Sequence, residues 1–195
     1  MHGLINRSIQ SFVGDTYGVA VWAEIATTAG LGFPAFEAML TYEDPVTDAV
    51  LGAMSDRLSR PRDMVLEDLG TYFVSHPTCG PLRRLLRFGG ETFVDFLHSL
   101  DDLQGRGRLA VPDLDLPRLE LYDHTPQRFS LTCQSPHRGA GYVMAGILRA
   151  MADDYGTLVM LEHQGTRGDT EMIFIEVLDQ AHGEGRKFTL AEGVN

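Results

Sequence analysis

The hydrophobic repeat changes past the middle of the chain, and that change restricts the fold more than any single motif. Up to about Gly105 the apolar residues recur at helical spacing; from Arg118 onward they alternate in short runs around one helical stretch. Leu4, Ile5, Ile9, Phe12 and Val13 mark an amphipathic helix over about residues 3–13. A second is expected from about Val19 to Ala29, stopped by Gly30-Leu31-Gly32-Phe33-Pro34. Asp44-Pro45 opens a third, with Val46, Val50, Met54 and Leu58 on one face and Ser59-Arg60-Pro61 at its end. A fourth starts at Pro61 or Asp63 and carries Val65, Leu69, Tyr72 and Phe73. Ser75 to Pro81 reads as a loop, followed by a short basic helix from Leu82 to Arg87. After Gly89-Gly90 a longer helix is expected from Glu91 to about Leu103, closed by Gly105-Arg106-Gly107.

Beyond this point Arg118 to Tyr122 and Arg128 to Cys133 alternate as strands, joined across Asp123 to Gln127. A long helix spans about Ala140 to Asp154, with Val143, Ile147, Leu148 and Met151 inward. Thr157 to Leu161 and Glu171 to Val177 then pair across a glycine-containing turn that includes Arg167-Gly168-Asp169. The expected fold class is α+β: a helical N-terminal lobe, then a C-terminal lobe with a four-stranded antiparallel sheet and a long helix on one side. The tail after Asp179 is polar and expected to fray.

Composition removes several classes of function. With 195 residues, 44% of them hydrophobic, the chain suits one domain or two closely joined lobes. Its 16 basic and 27 acidic residues leave a net charge of −11, which repels phosphate backbones and anionic membranes, so neither nucleic acid nor membrane is an expected partner. Cys79 and Cys133 are too few for a disulfide framework and are not spaced as a metal site. No apolar run reaches the roughly 18 residues that span a bilayer. The start, Met1-His2-Gly3-Leu4-Ile5-Asn6-Arg7, lacks a secretion signal, and Gly3 is displaced by one from a myristoylation site, so a cytoplasmic protein is expected. No hydrolase, zinc-protease or phosphate-loop signature is present, and a non-enzymatic role follows. Gly139-Ala140-Gly141, opening a helix, could present amides to an anion but lacks the remaining nucleotide-binding glycines. His98 and Gln104 share the expected helix but lie about 240° apart around it, which leaves His98 on the surface or at a lobe boundary. His76, His124, His163 and His182 are expected in loops or turns without a second donor.

Several segments, taken in order, resemble the haem nitric-oxide/oxygen-binding (H-NOX) family. Met1-His2-Gly3 looks like its Met-x-Gly start, and Glu43-Asp44-Pro45-Val46-Thr47 like its acidic opening of a later helix. The run Leu85-Leu86-Arg87-Phe88-Gly89-Gly90-Glu91 through Phe96-Leu97-His98-Ser99-Leu100-Asp101-Asp102-Leu103 resembles its proximal helix. Pro112 and Pro117-Arg118-Leu119 resemble the linker into the first strand, and the likeness extends from residue 1 to about 178. It implies one domain, with a helical lobe over about residues 1–66, an α/β lobe with the haem pocket over about 67–180, and a polar tail over 181–195. It also implies haem as cofactor, a diatomic gas as signal, and a cytoplasmic kinase or cyclic-nucleotide enzyme as partner.

By the same resemblance the pocket positions are Ile5 on the distal side, Pro117 against the macrocycle, and Tyr142 where oxygen-binding members hydrogen-bond the gas. The family's proximal histidine is replaced by Gln104. Its Tyr-x-Ser-x-Arg motif, which holds the haem propionates, reads Cys133-Gln134-Ser135-Pro136-His137, with only Ser135 kept and Arg138 one residue away. A carboxamide is a poor iron ligand, and a lost guanidinium removes a two-bond grip on carboxylate. An empty haem-sized cavity would cost roughly 10 kcal/mol, comparable to the stability of a whole domain. Three alternatives therefore stand: haem bound in an unusual way, a pocket for another apolar molecule, or a collapsed pocket in a pure protein-interaction module.

Overall fold

A computed structural model describes residues 1–111 and 113–187. Pro112 of the linker and residues 188–195 of the polar tail lie outside the described residues. They divide into two compact units, Met1–Val65 with Asp113–Asp115, and the remainder from Leu66 on.

The first unit holds α1 (Gly3–Tyr17), α2 (Val19–Thr28), α3 (Asp44–Leu58) and the start of α4 (Arg62–Ser75). The His2 ring caps α1 by accepting from the Leu4 amide at 3.1 Å. Gly3 follows because a Cβ there would overlap the carbonyl oxygens of Glu37 and Leu40; its amide donates to Leu40 O at 2.7 Å. Pro45 sits in the first turn of α3, where its missing N–H costs nothing, and Ser59 ends the helix in the left-handed conformation. Phe12, Val13, Ile25, Phe36 and Met54 are the buried centre. Buried Asn6 accepts from the Thr47 hydroxyl at 2.8 Å, tying α1 to α3.

The second unit continues α4 and adds α5 (Gly80–Arg87), α6 (Phe93–His98), α7 (Leu103–Ala110) and α8 (Ala140–Tyr155) around β1 (Arg118–Thr125), β2 (Arg128–Gln134), β3 (Leu158–Arg167) and β4 (Thr170–Asp179). The sheet is antiparallel throughout, in the order β1-β2-β4-β3. Its register aligns Leu121, Leu131 and Ile173 across three strands. Those residues, with Phe129, Ile175 and Val177, join Leu148 and Met151 of α8 and Phe96 and Leu97 of α6 in one core. The α+β expectation therefore holds, with helices on one face of a four-stranded sheet.

Several local expectations change. The single helix expected from Glu91 to Leu103 is two helices separated by a 3-10 turn at Leu100–Asp102. Thr92 starts α6 through a capping box: its hydroxyl accepts from Asp95 N at 3.1 Å, and the Asp95 carboxylate accepts from Thr92 N at 3.0 Å. Those bonds hold the Asp95 carboxyl below the usual range, with the Thr92 bonds the main cause. Gly105 and Gly107 do not close the helix but lie inside α7. Gly107 is there because the Leu116 side chain fills the space a Cβ would take. His98 and Gln104 thus sit on different elements, and the angular argument between them does not apply. Part of the expected Ser75–Pro81 loop is a 3-10 turn, Pro77–Cys79, running into α5. His124 and His163 lie in β1 and β3 rather than in loops. The segment after Asp179 is hydrogen-bonded back onto the unit as far as Arg186.

Helix α8 crosses α4 at backbone distance. A Cβ at Gly70 would overlap the Val143 carbonyl, and one at Gly146 the Glu67 carbonyl. Arg149 pairs with Glu67 at 2.7 Å beside the crossing. Gly70→Ala and Gly146→Ala are each expected to cost about 2–4 kcal/mol in urea unfolding, since backbone cannot yield as a side-chain tip can. Gly105→Ala, with open space around its position, is expected to be neutral or stabilising by up to about 1 kcal/mol in the same measurement.

Candidate functional site

The end of β2 sends Cys133 to the inner face of the sheet, between Leu119 of β1 and Glu171 of β4. The thiol is buried and pushed up to about 12, first by burial and then by the negative charge of Glu171. At neutral pH it is a small neutral packing group. The next residues turn sharply. Ser135 donates its amide to Asp169 O at 2.9 Å, and its hydroxyl accepts from His137 N at 3.1 Å. The Ser135 side chain thus serves its own loop. His137 is half-buried, whereas Arg138 is exposed and makes no ion pair with any described residue.

Gly139 then adopts φ 93° and opens α8. Its amide donates to the Glu171 carboxylate at 2.7 Å, and the Gly141 amide donates to the same carboxylate at 3.1 Å. These amides, which could have faced an external anion, meet a carboxylate supplied by the chain itself. A buried carboxylate at a helix N-terminus gains from the helix dipole as well as from the two N–H groups. His163 lies 3.0 Å from the same carboxylate, through Nε2. The Tyr142 ring stacks on His163, with centroids 4.0 Å apart and planes 12° apart. Cys133, the 135–139 turn and Tyr142 are therefore gathered around Glu171, and the face of the Tyr142 ring is given to an imidazole.

Glu171 and His163 are the residues that reading the sequence missed. A signal existed: Val159, Leu161 and His163 alternate on one strand and Glu171, Ile173, Ile175 and Val177 on the next. Both polar groups close an apolar alternation on its inward side.

The remaining positions lie elsewhere. Gln104, half-buried on α7, donates through Nε2 to Leu116 O at 2.8 Å. That bond pins the residue just before half-buried Pro117, which leads into β1. Asp101 Oδ1 accepts from Leu121 N at 2.9 Å, and Arg106 donates to Ser99 O at 2.8 Å and Leu85 O at 3.3 Å. Helix α7 is thus held to its surroundings by protein groups. Ile5 belongs to the first unit, half-buried in the opening turn of α1. Half-exposed His98 approaches Asp123 at 3.8 Å and meets the Phe129 ring edge-on. Among the described residues no group of three or more His, Cys, Asp or Glu side chains could hold a metal ion.

A family model described as haem-NO-binding matches residues 2–163. Soluble guanylate cyclase gcy-31 of Caenorhabditis elegans is 26% identical over 163 residues, covering 83% of this chain and 23% of that protein. Soluble guanylate cyclase 89Db of Drosophila melanogaster is 23% identical over 181 residues, covering 88% of this chain and 27% of that protein. The chain spans about a quarter of the length of these curated relatives. An H-NOX protein from S. oneidensis in its Fe(II) state superposes with a TM-score of 0.77 at 17% identity, over 92% of this chain and 97% of that one. The Fe(II) unliganded H-NOX protein from K. algicida gives 0.76 at 19% identity, over 97% and 100%. At these identities the structures establish a shared fold.

The buried thiol makes a prediction with a defined sign. Its native value near 12 exceeds the ordinary 9.0, so its contribution is intact below pH 9 and is lost as pH rises toward 12. The loss is expected to approach roughly 4 kcal/mol, read as the difference in alkaline unfolding between the wild type and Cys133→Val. Iodoacetamide at pH 8 should label half-buried Cys79 and spare Cys133 until the protein unfolds.

Proposed function

The chain belongs to the haem-NO-binding (H-NOX) family, a family of haem-based gas sensors, and on that footing we propose that it is a non-catalytic sensory module of a cyclic-nucleotide signalling protein in which residue 104 does not ligate iron. The observation that carries the second half is the bond from Gln104 Nε2 to Leu116 O. Axial ligation asks for a strong donor with a free lone pair, as a neutral imidazole supplies. Gln104 offers iron only a carboxamide oxygen, a weak donor, and its nitrogen is already committed.

The carboxylate-binding positions argue the same way. Cys133 is a neutral buried thiol, the Ser135 hydroxyl accepts within its own loop, and Arg138 points to solvent. The nearby amides of Gly139 and Gly141 are taken by Glu171. The residues present do not fit haem held as the family holds it. Here Gln104 acts as a clamp between α7 and the approach to β1, so protein contacts set the position of α7. The resemblance to soluble guanylate cyclases supports a cyclase or a kinase as the partner regulated. No described helix is long and apolar enough to cross a membrane, and the resemblance to soluble guanylate cyclases is what supports a place in the cytoplasm.

Titration of the purified chain with haemin, followed by reduction, tests the reading. Wild type and Gln104→Ala are expected to give the same absorption spectrum, with no ligand band that depends on residue 104. A ferrous band present in the wild type and absent from Gln104→Ala would overturn it. The same variant, having lost one bond to a backbone carbonyl, is expected to lose about 1 kcal/mol in urea unfolding.

A further inference from the structure

The segment after β4 lies against the C-terminus of α8 at a buried charge cluster. Asp154, in the last turn of α8, has a side chain only 1% exposed. Arg83 of α5 meets Oδ1 through Nε at 2.9 Å and Nη2 at 2.8 Å. Arg87, one turn further along α5, brings Nε within 3.6 Å of Oδ2, which has no hydrogen bond from any described residue. The Arg87 guanidinium also lies 3.8 Å over the Tyr155 ring, and the Tyr155 hydroxyl donates to Gly90 O at 3.0 Å. Burial raises the Tyr155 pKa above the ordinary phenol value.

The main chain at the same residue carries the next link. Asp154 O accepts from Arg186 N at 2.8 Å and lies 3.5 Å from Arg87 Nη1. Gly156 O accepts from Gly183 N at 3.0 Å, and Thr157 Oγ1 donates to Gln180 O at 3.4 Å. The approach is close enough that a Cβ at Gly156 would overlap the Gly183 carbonyl, and one at Gly185 would crowd Asp154 O.

A carboxylate at a helix C-terminus is opposed by the helix dipole and, once buried, depends on its cations. Among the described residues α5 supplies them. A displacement of α5 therefore removes what keeps Asp154 in place, and Asp154 is the residue whose carbonyl holds Arg186. We propose that Asp154 couples α5 to residues 180–187, making that segment a latch that is docked while Arg83 and Arg87 are seated and released when α5 shifts. The device is independent of haem, so it stands or falls apart from the reading of Gln104.

Residue-resolved amide exchange on the full chain tests it. In Arg87→Ala the Gly183 and Arg186 amides are expected to exchange about tenfold faster, while the amides of Met144 to Leu148 in mid-α8 keep their wild-type rates. Arg149→Ala, which removes an α8 arginine paired with Glu67 instead, should leave both latch amides unchanged. Unchanged exchange at Gly183 and Arg186 in folded Arg87→Ala would overturn the proposal. So would equal acceleration of every amide in the unit, which would mark Arg87 as a general stabiliser. If Arg87→Ala does not fold, Arg87→Lys keeps a cation but loses the planar group that spans Tyr155 and the Asp154 carbonyl. Faster latch exchange in that variant supports the coupling, and wild-type exchange overturns it.

Discussion

A buried carboxylate holds each end of α8, and most of the second unit is arranged around that helix. At its N-terminus Glu171 takes the amides of Gly139 and Gly141 and faces His163. This is the favourable end of the helix dipole for a negative charge. At the C-terminus Asp154 sits at the unfavourable end and relies on Arg83 and Arg87. Between the two, Gly70 and Gly146 let the backbones of α4 and α8 meet. The helix is fixed along its length by groups from α4, α5 and β4, and its inner face completes the core against the sheet.

That arrangement bears on the anionic end of a family ligand. Glu171 satisfies the amides at the start of α8, which would otherwise be free to receive an external carboxylate. Cys133, at the end of β2, offers no charge and no strong hydrogen bond. Gln104, on α7, is likewise turned to an internal partner, the Leu116 carbonyl. Gln104 and Glu171 both commit their polar groups to partners within the protein. Buried polar groups are costly when left unsatisfied, and these find their partners inside the fold.

Much of the fold was legible because the buried faces repeat. The period in Val46, Val50 and Met54 marked α3, and the alternation in Leu131 and Cys133 marked β2. What went astray was local punctuation. Gly105 and Gly107 read as a stop, yet Gly107 is helical because Leu116 packs where a Cβ would be. Nothing near residue 107 in sequence announces that contact. His163 read as a turn residue because its strand runs on to Arg167, past the apolar stretch, through Glu162, Gln164 and Thr166. The tail read as frayed from its polarity, whereas its amides at Gly183 and Arg186 find carbonyls at the end of α8.

The sequence by itself determined the order of helices and strands, the two turns that join the strand pairs, and the family, because periodicity and spacing are local properties of the chain. Through the family resemblance it also singled out residue 104 and residues 133–137. Only the tertiary structure decided which partners those residues have. Hydrogen-bond partners such as Gln104 with Leu116, Glu171 with Gly139 and Gly141, and Asp154 with Arg83 and Arg87 are set by packing between elements. A buried polar group takes whichever partner the fold brings within reach, and for Glu171 and Asp154 that partner lies some 30 to 70 residues away along the chain.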